Sequence, residues 1–106
     1  MTDPRPWYYR LDGHTPVVAG RDDLARQYKD PEARRVAQTK VGDASVSTVF
    51  LAIDHGWGNE PPILFETMIF GGDYDEWQWR YGTWEQAEAG HNRVVDALER
   101  GEAPAQ

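Results

Sequence analysis

A length of 106 residues is that of one domain, and 40% hydrophobic with 27% charged residues is a globular balance that argues against wholesale disorder. The chain has no cysteine, which excludes disulfides, thiolate zinc sites and thiol catalysis. Its net charge of −7 argues against a nucleic-acid partner, which needs a basic face to displace phosphate counterions, and suits solubility or a basic protein partner.

The opening Met1-Thr2-Asp3-Pro4-Arg5-Pro6 lacks the apolar stretch of a secretory signal. No run of the sequence approaches ~18 apolar residues, so a cytoplasmic protein without a membrane span is expected. Trp7 to Leu11 reads as a strand, Asp12-Gly13 as a turn and Pro16-Val17-Val18 as a short return strand at an edge. Asp22 or Asp23 can cap a short helix carrying Leu24, Ala25 and Tyr28, which Pro31 ends or restarts.

From Arg34 the period changes to two. Val36, Gln38 and Lys40 alternate with Ala37, Thr39 and Val41, and Gly42-Asp43-Ala44 turns the chain. Ser45 to Asp54 is rich in β-branched and aromatic residues and apolar on both faces from Val49 to Ile53, as a central strand is. His55 to Pro62 holds two Gly and two Pro and reads as a loop. Ile63 to Phe70 is the next strand, with Ile63, Phe65, Thr67 and Ile69 on one face and Leu64, Glu66, Met68 and Phe70 on the other. After Gly71-Gly72-Asp73, the alternation of Trp77, Trp79 and Tyr81 with Gln78 and Arg80 gives another strand.

Thr83 is placed to cap a helix, with Gln86 reaching back as in a capping box. Trp84, Ala87, His91, Val94, Val95 and Leu98 recur at helical spacing, and Gly101 stands at the C-terminal cap. The expected fold is α+β: an antiparallel sheet of about four to five strands packed against one C-terminal helix. It forms a single domain over 1–106, with its core in 34–100 and a flexible tail over 102–106. One helix covers one sheet face. The other face must be covered by the N-terminal segment, a twin subunit or a ligand.

Several residues are candidates for chemistry. Asp54-His55, at a strand end, is either an acid–base or binding pair or a turn in which Asp54 caps loop amides. His91 lies inside the apolar helix stripe and needs hydrogen-bond partners. A backbone carbonyl or a strand carboxylate such as Glu66 can serve. Glu66 interrupts an apolar strand, and Arg80 is its natural partner, as a salt bridge or as a clamp on a ligand phosphate. Gly56-Trp57-Gly58-Asn59 looks like a glycine-rich loop, but no helix follows to cradle a phosphate. His14, His55 and His91 fall on three separate elements without metal-ligand spacing, so neither a metal nor another cofactor is expected. Five Trp, five Tyr and three Phe exceed what a small core uses. Trp57, Trp79 and Tyr81 are therefore candidate binding residues beside Asp54, His55, Glu66, Arg80 and His91.

Three segments, Val46 to His55 (VSTVFLAIDH), Pro61 to Gly72 (PPILFETMIFGG) and Arg80 to His91 (RYGTWEQAEAGH), resemble a family of small uncharacterised proteins found mainly in actinobacterial phages. The resemblance covers roughly residues 34–95. Family members commonly carry Gly where this chain has Ala52. The resemblance implies a phage accessory role in the host cytoplasm, directed against a host protein or a host signal, with counteraction of host defence as the analogy. Three functions follow as expectations: a module binding a nucleotide-like ligand or a host protein, an assembly protein whose aromatic sheet face is a homodimer interface, and a small hydrolase or phosphodiesterase in which His55 and His91, or Glu66 with a histidine, act as acid and base while Arg80 stabilises phosphate charge.

Overall fold

The computed structural model of this chain describes residues 7–56 and 60–106, and every side chain among them except those at 24, 27 and 28. Six strands and two α-helices follow in chain order: β1 (Tyr9–Asp12), β2 (Thr15–Val18), α1 (Arg21–Lys29), β3 (Arg35–Val41), β4 (Ala44–Phe50), β5 (Phe65–Phe70), β6 (Gln78–Tyr81) and α2 (Trp84–Glu99), with a 3-10 turn over Pro31–Arg34. β1 and β2 form a separate antiparallel hairpin, and β3 to β6 form one antiparallel sheet in sequence order. This is the α+β arrangement expected from the two periodicities. The expectation for Leu24 and Tyr28 falls on side chains outside the described set.

Local chemistry accounts for the ends of these elements. The strand expected to run to Asp54 stops at Phe50, because Ala52 takes a left-handed backbone (φ 67) that an L-residue adopts only at a cost. The kink turns this segment toward the N-terminus. Tyr9 N–H donates to the Ala52 carbonyl (2.8 Å) and Asp54 N–H to the Trp7 carbonyl (2.9 Å). The hairpin is fixed again at its tip, where His14 stacks on Trp84 of α2 with ring centroids 3.8 Å apart. At the start of α2, Thr83 Oγ1 accepts from Gln86 N–H (3.1 Å), while Gln86 Oε1 accepts from Gly82 N–H, one residue beyond the usual capping-box partner.

α2 lies across one face of the four-stranded sheet and makes two apolar half-cores with it. One joins Ala44, Val46, Ile69, Val94 and Val95; the other joins Phe50, Ala52, Leu64, Phe65 and Ala87, with Tyr9 and Leu11 of the hairpin packed against it. Phe50 and Phe65 are fully buried, each contributing about 1.5–3 kcal/mol by leaving water. The aromatics of β6 are used on this inner side too: Trp79 packs on the first half-core and Tyr81 on the second. The opposite sheet face is open and mixed, with Val49, Met68 and Phe70 among polar residues. Gln38, Lys40, Gln78 and Arg80 are exposed there, and Phe70 is 52% exposed. The N-terminal hairpin does not cover this face; it packs at the half-core beside the start of α2.

Candidate functional site

Between the two half-cores runs a row of polar side chains, one from each strand of the sheet and one from the helix. On β4, Thr48 stands between Val46 and Phe50; on β5, Thr67 stands between Phe65 and Ile69; on α2, His91 stands between Ala87 and Val94. Thr48 and Thr67 are directly opposed in the ladder, and their hydroxyls are 2.5 Å apart. His91 Nδ1 lies 2.8 Å from Thr48 Oγ1, and His91 Nε2 lies 2.9 Å from Thr39 Oγ1 on β3. Tyr81 on β6 donates its hydroxyl to Thr67 Oγ1 at 3.2 Å. Thr48 and Thr67 are fully buried and His91 is 2% exposed.

One head-to-tail direction that satisfies every member of this row runs from β6 to β3. Tyr81 donates to Thr67, Thr67 to Thr48 and Thr48 to Nδ1 of His91, which leaves the Nε2 proton for Thr39. That direction requires a neutral imidazole. Burial supplies it, holding the His91 pKa below the usual imidazole value. Among the described residues no carboxylate joins the row to favour the charged form. Burial likewise raises the Tyr81 pKa above the usual phenol value, against the opposing effects of the Thr67 hydrogen bond and the nearby Arg93 charge.

Gly90 makes the approach of α2 to β6 feasible. A Cβ at this position would overlap the Tyr81 ring and hydroxyl. A glycine inside a helix costs about 1 kcal/mol relative to alanine, and here it leaves the space through which Tyr81 reaches Thr67.

The outer side of the same junction is a cleft of about 570 Å³ between β6, α2 and the chain beyond it. Trp79 and Tyr81 form one wall, Gly90, Arg93 and Val94 of α2 another, and residues 102–106 the third. Those last residues make contacts with the sheet: Pro104 is buried, and the Ala105 carbonyl accepts from Trp79 Nε1 at 2.8 Å. Among the residues lining the cleft the charged groups are Arg93, Asp96, Arg100 and Glu102, with no histidine.

The sequence candidates fall in three separate places. Trp79 and Tyr81 line the cleft, with His91 buried behind Tyr81. Glu66 and Arg80 pair across β5 and β6 on the opposite sheet face, Arg80 Nε to Glu66 Oε2 at 3.0 Å. Glu66 is therefore not the partner of His91. Residues 65 and 67, not 66, face the helix, and the carboxylate finds Arg80 on the open side. Asp54 is buried, and its Oδ1 accepts from Gly56 N–H (2.7 Å) and Ile63 N–H (3.0 Å), the loop-capping alternative. His55 is exposed and lines a second groove with Pro61, Pro62, Gly82 and Gln86. Trp57 lies outside the described residues.

His55 and His91 are thus not a catalytic pair: one is exposed at a loop, and the other has both ring nitrogens engaged in the core. Nor do β6 aromatics form an outward homodimer face, since they point toward α2. The sequence reading missed Thr39, Thr48, Thr67, Gly90, Arg93 and Arg100. The alternation that put Thr67 with Phe65 and Ile69 was the available signal for one of them. Comparison with protein-family models, curated proteins and solved structures finds no match to this chain.

Proposed function

We propose that this chain is a small binding module, of the phage accessory type that the resemblance implies, and that it takes its partner in the cleft between α2 and β6. The observation that carries the reading is the composition of that cleft. About 570 Å³ is within the ~300–1,000 Å³ range of ligand sites. Its wall joins an indole and a phenol from one strand to Arg93 of α2 and Arg100 at the end of that helix. Flat rings with the Arg93 guanidinium beside them suit an occupant with an apolar body and a negative end, Arg100 being already paired with Glu102 and Asp96 lying in the same lining. The His91 row behind the wall holds it rigid and, with both imidazole nitrogens engaged, offers no free base. A host protein segment and a nucleotide-like signal are the two occupants this chemistry accommodates. Interference with host defence would follow from holding either one.

The test is thermal shift together with Trp fluorescence, using nucleotides, cyclic nucleotides and acidic proline-containing peptides as probes. A stabilisation that is lost in Arg93→Ala supports the reading. If no probe stabilises the parent chain or perturbs Trp79, the cleft is not a binding site and the proposal fails.

A further inference from the structure

The chain beyond α2 already occupies part of the cleft, and its chemistry identifies what else fits. Gly101 (φ 72) ends the helix with its N–H on the Leu98 carbonyl (3.1 Å) and the Glu102 N–H on the Ala97 carbonyl (2.9 Å). This pair of bonds is the Schellman arrangement, and it turns the chain back on itself. Glu102-Ala103-Pro104-Ala105 then lies along the cleft. Pro104 is buried, the next carbonyl is held by Trp79 Nε1, and Glu102 Oε2 meets Arg100 Nε at 3.3 Å.

These contacts are those by which aromatic grooves take extended proline-containing chains. Proline preforms the extended backbone at low entropic cost, and the carbonyls of such a backbone have no internal partner and accept from an outside donor. The tail lines the cleft without filling it, so a longer segment can make contacts that the tail does not.

We infer that the α2–β6 cleft is a groove for an extended peptide of a partner protein, one with an acidic residue two positions before a proline and a small residue after it, and that residues 102–106 hold the groove as an internal competitor. This rests on the cleft being the partner site. A tethered segment acts at roughly millimolar effective concentration. It therefore scales the apparent affinity of a free peptide down to the fraction of chains in which the groove is open.

The test uses the full chain and a labelled peptide, GEAPAQ, copying residues 101–106, with the Trp79 indole N–H resonance as reporter. Pro104→Gly removes the buried ring that seats the tail. Addition of the peptide is expected to move the Trp79 resonance. The Pro104→Gly chain is expected to bind the peptide about tenfold more tightly than the parent does. A peptide with glycine in place of its own proline is expected to bind about tenfold more weakly than GEAPAQ. Trp79→Phe, which keeps the ring and loses the donor, is expected to abolish binding with its circular dichroism unchanged.

Equal affinity of parent and Pro104→Gly chains overturns the inference, as does peptide binding that leaves Trp79 unmoved. So does self-association of the parent through exchanged tails when added peptide does not bind. A nucleotide that moves Trp79 where no peptide does overturns this inference and leaves the proposed function standing. Silence from every probe overturns both.

Discussion

Thr48→Val is the sharpest test of the polar row. Valine keeps the shape of threonine and replaces the hydroxyl by a methyl, so packing changes little. Two hydrogen bonds are lost, at 2.8 Å to His91 Nδ1 and at 2.5 Å to Thr67. Thr67 keeps Tyr81; Nδ1, in a side chain 2% exposed, loses its partner. An orphaned buried polar group costs about 1–3 kcal/mol and each lost bond about 1 kcal/mol net, against a gain of under about 1 kcal/mol from the added apolar group. The expected loss is about 2 kcal/mol, or roughly 10 °C in Tm for a chain of this size. Urea unfolding followed by Trp fluorescence measures it. Thr48→Val combined with His91→Leu removes both partners of one bond together, and is expected to cost less than the sum of the single changes by about 0.5–3 kcal/mol. A Thr48→Val chain as stable as the parent, or strict additivity in the double variant, refutes the claim that the row is a coupled network.

Four further outcomes are expected. Because burial lowers the His91 pKa, the unfolded chain binds a proton near pH 6.5 that the folded chain refuses; stability is full above about pH 7.5 and falls below pH 6.5 by up to about 1.4 kcal/mol per pH unit, a slope that urea midpoints at pH 7.5, 6.0 and 5.0 should lose in His91→Leu. Gly90→Ala should destabilise by about 1–3 kcal/mol despite its better helix propensity, since its Cβ meets the Tyr81 ring; thermal unfolding checks this. At Ala52 (φ 67), Ala52→Gly should stay within about 1 kcal/mol of the parent, because backbone relief offsets the lost methyl and the added unfolded-state freedom, whereas Ala52→Val should lose more than about 2 kcal/mol by putting a β-branched residue in a left-handed, fully buried position. Glu66→Gln should change stability by less than about 1 kcal/mol in a salt series, since Arg80 of that pair is 44% exposed.

Much of the fold was legible because it rests on local signals. The alternation in Val36–Val41 and Ile63–Phe70, the Thr83 and Gly101 caps and the 3.6-residue stripe of α2 each follow from short-range chemistry. Strand ends were less legible. Nothing in the composition of Leu51 to Asp54 announces a left-handed Ala52, since glycine is the residue such a backbone favours. The candidate site was legible only in part, because it depends on which residues the ladder brings opposite each other. Polar residues within apolar patterns drew attention to His91 and Glu66 together. Strand alternation separates them, since residue 66 faces away from the helix. The partners His91 does find are threonines, residues whose β-branched side chains suit a strand whether or not the hydroxyl is used. Arg93 and Arg100 stand outside the apolar stripe of α2 and carry no pattern signal; they join the site because Gly101 turns the chain back beside them.

The polar row also fixes the two walls of the cleft that α2 and β6 supply. Apolar half-cores alone tolerate small slides of a helix over a sheet, since one aliphatic contact substitutes for another at little cost. The row does not tolerate them. A displacement of α2 by one turn would carry His91 off Thr39 and Thr48 and set an imidazole against one of the apolar half-cores, leaving at least two buried polar groups without partners. The register of α2 on the sheet is thereby fixed at its centre. Tyr81 is held at the same point, by Thr67 on one side and the Gly90 notch on the other. Trp79 and Arg93 lie within one or two residues or one helical turn of these anchors, so the two walls of the cleft inherit the register of the row. Loosening the row should therefore weaken occupancy of the cleft even by a ligand that touches none of its threonines.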